Sequence, residues 1–394
     1  MLGDVKLIFN NRLEVKGNVE YIHPLHNLAV VSFSPSALNN ITVAQAKLAE
    51  KPLIQGDMIT QVGLNSDGHI EQRETKVDIQ EELWLDQYNV PKFIDRNIEV
   101  SYLLNPNGAI DGVILNESQE VAAFWFIFEE SEQKGKGVSS LMAGIAADDV
   151  KQMMSFIEQN KPVQSLEVSL TQISPVDALQ MGLPNSWLDK MATGEKSTEK
   201  LLAIYNVVAS SPSAKVFKRG DILLAINDSP VTSFKQVEQL SQQPLLNVTL
   251  LSEGKIKTEQ VETMPLNGTD IDRVLYWSGL YLHAPHRAAL VQGGIENKGV
   301  YIASYQYGSP ARRSGLYAMH RIVEIDGKPI NDVDDLIAAV KGKPHKASVL
   351  IKTLDFSNKA KVNTLKTDNH YWPFYEMKLI DGKWQKLDHF SESL

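Results

Sequence analysis

An internal repeat in the C-terminal half of this chain constrains its fold more than any other feature of the sequence. The segment SPSA at 211–214 recurs as SPAR at 309–312, roughly one hundred residues downstream, which is the length of one small domain. The related segments AINDSPV and EIDGKPI follow the respective copies, and an amphipathic helix is predicted after each. Each predicted helix opens with a capping residue, Ser233 or Asp332. This pattern of a strand, a tight turn and a helix predicts two similar α+β domains.

The N-terminal third alternates short apolar runs with polar turns, which is typical of an all-β barrel or sandwich. Asn10 and Asn11 read as the turn of a hairpin. The largely apolar run at 28–33 predicts a buried strand. The predicted strands are 5–9, 13–17, 28–33, 58–64, 113–115 and 121–128.

A charged segment and a helix separate these strands from the repeats. Residues 129–137 are charged and contain glycine, so they predict an exposed loop. Val150, Met153, Met154 and Ile157 recur at helical spacing, which predicts an amphipathic helix that ends at 160–162.

The composition is that of an ordinary globular protein of two or three domains. The chain has 394 residues, of which 43% are hydrophobic and 22% charged, and its formal net charge is -9. An acidic chain without a cluster of lysine and arginine predicts no nucleic-acid partner. No run approaches the roughly 18 apolar residues of a membrane span, so no membrane insertion is predicted. The first residues lack the basic and apolar regions of a signal peptide. The absence of cysteine excludes disulfides and thiol catalysis, and no cofactor is predicted.

The two repeats resemble PDZ domains of the HtrA type. The resemblance is carried by SPSA at 211–214 together with RGDILLAIN at 219–227 and the helix that follows. The second copy matches less closely, because it has His320 and Arg321 where the first has glycine and aspartate. A PDZ domain adds an extended peptide to a sheet edge beside a helix, and a tight loop holds the terminal carboxylate. The resemblance therefore implies peptide C-termini, extended segments or unfolded proteins as partners.

Two N-terminal segments resemble the aspartate and nucleophile segments of HtrA/Deg serine proteases, but neither carries the catalytic residue. They are YIHPLHNLAVV at 21–31 and GAIDGVILN at 108–116. The resemblance places Asn27 at the aspartate position and Ile110 at the serine position. A triad needs a hydroxyl to attack and a carboxylate to orient the imidazole, so no catalytic residue is predicted. In the family the histidine precedes the aspartate by several tens of residues, and this chain is expected to begin after it.

The order of these segments resembles the C-terminal half of the large, duplicated HtrA proteins, which carry one active and one decayed protease domain. Further support comes from the segments at 174–187, 276–280, 299–302 and 370–374. The implied fold is mainly β with some α: a partial trypsin-like β-barrel followed by two PDZ-like α+β domains. The predicted boundaries are 1–160 for a degenerate, N-terminally incomplete protease domain, 161–265 for the first PDZ domain and 266–394 for the second with a C-terminal extension.

The resemblance also implies peptide-binding positions in both PDZ-like domains. In the family the carboxylate-holding loop is an apolar–glycine–apolar segment, and Glu167 replaces the glycine in the first domain. Its charge would repel a terminal carboxylate, so ordinary C-terminal recognition is not expected there. The second domain keeps Gly279 and is the stronger prediction, although its apolar positions could instead pack in a core. The stronger set is Ser278, Gly279, Leu280, Leu336, Ile337 and Val340, and the weaker set is Leu166, Glu167, Val168, Val237 and Leu240.

A rearranged catalytic centre is disfavoured. Ser139 and Ser140 follow a glycine, but they lack the strand–turn–helix setting of a nucleophile elbow. His23 and His26 are interpreted as turn and surface histidines.

A metal site is also disfavoured. The pairs His23/His26 and His283/His286 are spaced i, i+3 around a proline, and neither has an evident third ligand. The aromatic segment at 371–375 has three interpretations: packing on the second PDZ-like domain, an oligomer contact, or a partner-binding patch.

We predict a non-catalytic HtrA-like module that binds peptides or unfolded proteins in protein quality control or protease regulation. The alternative is the C-terminal portion of an ATP-independent serine endopeptidase whose triad lies outside this chain. A third hypothesis is a structural assembly module whose grooves are blocked. A homo-oligomer, such as the trimers common in the family, or an upstream protease half are the implied protein partners. The resemblance points to the periplasm or cell envelope in bacteria, and to the nucleus or plastid in eukaryotes.

Overall fold

The computed structural model is built mainly from antiparallel strands. None of the described helices is long and apolar enough to cross a membrane. The described residues are 5–9, 13–26, 28–38, 41–84, 97–133, 137–159, 161–192, 200–208, 211–266, 271–287, 289–290, 298–355, 357–381 and 383–388.

An open sheet of three strands begins the chain. β1 (Val5–Phe9) pairs with β2 (Leu13–Ile22), which confirms the predicted hairpin strands, while the turn residues Asn10 and Asn11 lie outside the described residues. β3 (Ala29–Phe33) pairs with the other side of β2. The prediction of a buried third strand is wrong, because β3 lies at an edge and its residues are half-buried or exposed.

Six further strands close a barrel in the order β4-β5-β6-β9-β8-β7. Trp125 and Ile114 are fully buried in its core. The predicted loop is wrong at 129–133 and at 137, since these residues pair within β8 and β9 and the pairing satisfies their backbone despite the charged sequence. Residues 134–136 lie outside the described residues. The strands are β4 (Met58–Leu64), β5 (Ile70–Glu82), β6 (Glu99–Leu103), β7 (Asp111–Leu115), β8 (Val121–Gln133) and β9 (Gly137–Ala146).

The predicted helix after the barrel is confirmed as α1 (Ala147–Gln159). It follows β9 directly and buries Met153 and Phe156. Of the other predicted apolar positions, Val150 and Ile157 are half-buried and Met154 is exposed.

The first repeat forms a sheet in the order β11-β12-β13-β15-β16, with β14 on β13 and a separate β10-β17 pair. The predicted cap is confirmed, because the Ser233 hydroxyl accepts the Gln236 N–H in a capping box at the start of α4. The elements are β10 (Val163–Ser165), β11 (Val168–Ile173), α2 (Pro175–Gln180), α3 (Asn185–Met191), β12 (Leu201–Val207), β13 (Ile222–Ile226), β14 (Ser229–Pro230), α4 (Phe234–Leu240), β15 (Leu245–Ser252), β16 (Lys255–Glu262) and β17 (Met264–Leu266).

The second repeat forms a larger sheet in the order β24-β23-β21-β20-β19-β18-β25-β26, with β22 on β21. Its helix α6 is capped as predicted, since the Asp332 carboxylate accepts the Asp335 N–H. The elements are β18 (Arg273–Trp277), β19 (Leu280–His283), β20 (Val300–Tyr305), α5 (Pro310–Arg313), β21 (Arg321–Ile325), β22 (Lys328–Pro329), α6 (Val333–Val340), β23 (Ser348–Leu354), β24 (Ala360–Lys366), β25 (Tyr375–Ile380) and β26 (Lys383–Asp388).

The aromatic C-terminal segment packs on this second sheet. Phe374 is buried in the core of the domain, and Tyr375 stacks on Tyr276 with ring centroids 4.8 Å apart. The packing interpretation therefore holds for these two residues, whereas Tyr371 is exposed.

Candidate functional site

The segment that resembles a nucleophile loop lies between β6 and β7, and its key position is buried. Ile110 is 1% exposed, so its side chain packs inside the protein. Gln61 fixes the loop by donating its amide to the Asn107 carbonyl (3.0 Å) and accepting the Asn107 N–H (2.9 Å). Asn107 in turn accepts the Ala109 N–H. This loop presents no nucleophile at position 110. Asn27, the other degenerate position, lies outside the described residues.

The two histidines near position 27 are buried and directed at the first PDZ-like domain. The interpretation of His23 and His26 as surface histidines is wrong, since they are only 3% and 6% exposed. Their rings stack at 4.8 Å, and His26 Nε2 lies 3.0 Å from Oε2 of Glu238 on α4. His23 Nδ1 accepts the N–H groups of Leu25 and His26, which leaves its Nε2 facing Glu238 at 3.7 Å.

Burial sets the charge of this histidine pair. Burial, together with the neighbouring His26, lowers the pKa of His23 to about 3, so His23 is neutral near pH 7. Burial opposes the charged form of Glu238, but attraction to His26 outweighs it and lowers the Glu238 pKa. The arrangement connects the N-terminal segment to α4 and engages both imidazoles with Glu238.

The two serines considered for a rearranged centre lie within a regular strand. Ser139 and Ser140 belong to β9, in register with Ser131 and Glu130 of β8. A regular hairpin is not the strand–turn–helix setting that exposes a nucleophile.

The second histidine pair packs on an aromatic ring. The rings of His283 and His286 lie 5.5 and 5.2 Å from that of Tyr301. In the part of the chain that the structure describes, no group of three or more His, Asp or Glu side chains converges on a metal position.

A polar cavity of about 150 Å³ lies between the barrel and α4. Asp149, Lys235 and Glu238 line it, together with Glu99. Burial raises the pKa of Asp149 to about 6, and the ammonium of Lys235, 3.8 Å from Asp149 Oδ1, offsets part of that effect. Burial likewise raises the pKa of Glu99. The Asp149 carboxyl group in this cavity is therefore costly to ionise.

Asp149→Asn should stabilise the protein at neutral pH. The native Asp149 keeps its proton between pH 4 and 6, where the unfolded chain releases it, so the free energy of unfolding falls as pH rises through this window. Removing the charge should raise that free energy by roughly 2 kcal/mol at pH 7, after a discount for solvent screening, and by little below pH 4. Urea unfolding at pH 7 and pH 4 measures the difference.

The neighbouring Asp148→Asn variant is a matched control of opposite sign. Burial opposes the charged form of Asp148, but the hydrogen bond and the attraction to Lys235 outweigh it and lower the Asp148 pKa, so its charge is stabilising. This variant should lose stability at pH 7. Equal losses for both variants would refute the assignment of a costly charge to Asp149.

The loop predicted to hold a carboxylate in the first domain has its own internal partners. Glu167 adopts φ 54° and is 6% exposed. Its N–H donates to Ser165 Oγ, and its carboxylate accepts both the Nε–H and an Nη–H of Arg287 from the second domain, at 3.2 and 2.9 Å. The remaining weaker positions, Leu166, Val168, Val237 and Leu240, belong to or pack against the core of the domain.

The predicted loop of the second domain is the turn of a hairpin. Ser278 and Gly279 join β18 to β19, and their φ values of 51° and 86° are both positive, as a type I′ turn requires. β18 pairs with β19 on the side opposite β20, which is the edge where a PDZ ligand would add as a strand.

The strand β18 therefore occupies the predicted groove of the second domain. Arg273 at its start donates to Asp334 in the first turn of α6 at 2.8 Å and also pairs with Glu376 of β25. Leu275 and Trp277 share one buried core with the predicted pocket residues Leu280, Leu336 and Val340, and Ile337 packs against that core. Peptide recognition by this set stays a prediction, and it requires that β18 leave the edge.

Comparisons with known proteins agree with this architecture. A model of the PDZ domain matches residues 288–352. Protease Do-like 7 of Arabidopsis thaliana is 29% identical over 93% of the chain and 36% of its own length. The pro-apoptotic serine protease NMA111 of Coccidioides immitis is 26% identical over 95% of the chain and 37% of its own length. The chain is a relative of the HtrA/Deg-type serine proteases.

Further matches are of the same kind. A PDZ domain-containing protein of Schizosaccharomyces pombe is 25% identical over 95% of this chain and 38% of its own length. The chain thus spans just over a third of the length of these curated relatives. The solved structure of the HtrA-type protease AlgW with a decapeptide covers 67% of the chain and 75% of its own length, at 14% identity and a TM-score of 0.43.

Two residues that organise these sites were missed by the sequence analysis. Arg287 and Arg273 each bind a carboxylate of an element distant in sequence, which no local pattern reveals. The hairpin was open to prediction, because Ser278 and Gly279 lie between apolar runs, a recognised signal for a two-residue turn.

Proposed function

We propose that this chain is a non-catalytic HtrA/Deg-type module that binds extended or unfolded polypeptide in protein quality control or protease regulation. The burial of Ile110 at the serine position carries the proposal. An aliphatic side chain inside the protein cannot attack a carbonyl, and no later step of acyl transfer can replace that attack. His23 and His26 are engaged with Glu238 instead.

Peptide capture is the activity that the remaining architecture supports. Both repeats contain a strand and a helix in the arrangement that PDZ domains use to accept an extended segment, and in the second repeat capture requires that β18 leave the edge. Main-chain hydrogen bonds along a sheet edge give affinity with little demand on sequence, which suits unfolded substrates. A homo-oligomer or an association with a protease half remains part of the proposal.

β-Casein incubated with the purified chain should remain intact, and a fluorophosphonate probe should label no band. The physical reason is the missing hydroxyl at position 110. Replacing Asn27 by Asp and Ile110 by Ser should still not restore hydrolysis, because His23 and His26 face Glu238 and neither is placed to act as the base. Trypsin in a parallel reaction controls for substrate and probe. Cleavage with a labelled band would overturn the proposal, and Ser139 and Ser140 would then be mapped first.

A second candidate is favoured by the length of the relatives. Because the chain spans just over a third of proteins whose names describe serine proteases, it fits the C-terminal portion of an active ATP-independent endopeptidase with its triad elsewhere. β-Casein cleavage by the natural full-length product, with none by this chain, would support that candidate. Absence of cleavage by both would leave the non-catalytic module.

A further inference from the structure

The peptide edge of the first PDZ-like domain is β11, the outer strand of its sheet. β11 pairs with β12 on one side. On its other side, Val168, Leu170 and Gln172 contact side chains of the barrel domain instead of a peptide. An added strand would use these same backbone groups.

Asn97 imitates a peptide group at this edge. Its Nδ2 donates to the Val168 carbonyl at 2.8 Å, and its Oδ1 accepts the Leu170 N–H at 2.7 Å. One primary amide therefore satisfies a C=O and an N–H two residues apart, with distances typical of backbone hydrogen bonds. Asn97 has a φ of 57°, in the left-handed region that asparagine adopts more readily than most residues.

Glu82 covers the next position along the strand. Its Oε2 accepts the Gln172 N–H and the Thr171 hydroxyl, both at 2.9 Å. The Gln172 side chain reaches back to Glu99 of β6 at 2.8 Å. Four of the five residues from Val168 to Gln172 are thus bound by the barrel domain.

The helix that forms the other wall of the groove is also bound by the same domain. Lys235 of α4 pairs with Asp148 at 2.9 Å, and Glu238 pairs with His26. Both walls of the first groove are therefore contacted by the N-terminal part of the chain, β11 by residues of the barrel domain and α4 by α1 and His26.

The two repeats differ in what occupies the sheet edge where a peptide would add. In the second repeat a strand of the same sheet, β18, fills the edge and is joined to β19 by a two-residue turn. In the first repeat the edge is held by side chains of another domain. Opening it breaks side-chain contacts between domains, including the Lys235 and Glu238 ion pairs and the Trp84–Tyr205 ring contact, and leaves the sheet intact.

We propose that the barrel is the internal ligand of the first PDZ-like domain, and that Asn97 and Glu82 close its β11 edge to extended polypeptide until the barrel moves away. The proposal rests on the proposed peptide-capture function. The partner that this surface fits when open is an extended segment with free backbone groups. It is bound without a terminal carboxylate, because the Glu167 N–H already donates to Ser165 and the Glu167 side chain already pairs with Arg287.

The test compares the intact chain with Asn97→Gly and with Asn97→Gly combined with Glu82→Ala. Glycine tolerates the positive φ at position 97, so the backbone is kept and only the amide is lost. Hydrogen exchange of β11 should rise about tenfold at Leu170, and at Gln172 as well in the double variant. Exchange in the buried central strand β13 should stay unchanged, which shows that the domain is folded.

Asn105→Gly is the matched control. Asn105 has a similar φ of 54°, is exposed and lies in the same domain. Its replacement should leave exchange in β11 unchanged. Unchanged exchange in β11 of the double variant, with β13 still protected, would overturn the proposal.

Binding of fluorescein-labelled β-casein separates this proposal from the proposed function. Faster exchange together with tighter casein binding in the double variant supports both. Faster exchange without a gain in casein binding supports closure by the barrel and counts against peptide capture by this domain. Equal casein binding by all variants with unchanged exchange contradicts closure.

Discussion

Gly279→Ala is expected to destabilise the second PDZ-like domain by about 4 kcal/mol. Gly279 has φ 86°, which costs an alanine about 1–3 kcal/mol in backbone strain. A Cβ at this position would lie 2.2 Å from Ser309 Cβ and 3.1 Å from Trp372 Cε3, and relief of such overpacking costs a further 1–3 kcal/mol or so. Ser309 is fully buried, and its hydroxyl caps α5 by accepting the Arg312 N–H, so it cannot easily move away. Urea unfolding, with hydrogen exchange of β19 and β20 as the local readout, measures the loss.

Gly308→Ala separates strain from contact. Gly308 has φ 76°, but nothing lies within 4 Å of a Cβ placed there. Its replacement should cost only about 1–2 kcal/mol from the backbone. If the two variants lost the same stability, the contact with Ser309 would not explain the glycine at 279. That result would favour a role of Gly279 in holding a peptide carboxylate.

His23→Asn should make the protein much less sensitive to acid. The native His23 resists protonation down to about pH 3, whereas the unfolded histidine gains a proton near pH 6.5. The unfolded state therefore binds more protons between these values, and the free energy of unfolding falls as pH falls through the window. Between pH 7 and pH 4 the intact chain should lose about 3 kcal/mol more than the variant. Asparagine keeps an acceptor for the Leu25 and His26 N–H groups, and urea unfolding at several pH values gives the slopes.

Two controls frame this result. His69→Asn removes an exposed histidine of the same domain and should leave the slope unchanged. The charge of Asp149 acts in the opposite direction between pH 4 and 6, so His23→Asn should also be measured together with Asp149→Asn. A slope unchanged by His23→Asn in both backgrounds would contradict a neutral buried imidazole.

Most of the fold was predictable because it rests on local pattern. The repeat, the capped helices at Ser233 and Asp332 and most of the short N-terminal strands follow from spacing that each segment carries within itself. The errors lie where pairing overrides local composition. The charged segment at 129–137 is largely paired in a hairpin, and the apolar strand β3 is left at a sheet edge.

The site was predictable only in part. The resemblance located Ile110, whose burial agrees with the loss of a nucleophile. It also marked Gly279 and Glu167 as special positions, and both have positive φ. It did not reveal that β18 fills the second groove, since the same residues read equally well as a ligand loop or as a hairpin turn.

By itself the sequence determined the order of the elements, the two related domains and the absence of a serine at position 110, because these depend on residue identity and short-range spacing. Tertiary structure decided what occupies the peptide-binding edge of each PDZ-like sheet. Asn97 reaches Val168 across 71 positions, and Arg287 reaches Glu167 across 120. No periodicity encodes such contacts, because an amide or a guanidinium can satisfy any suitable partner that the fold brings within about 3 Å. Whether a PDZ-like groove is open or closed is therefore a property of how the domains pack on one another.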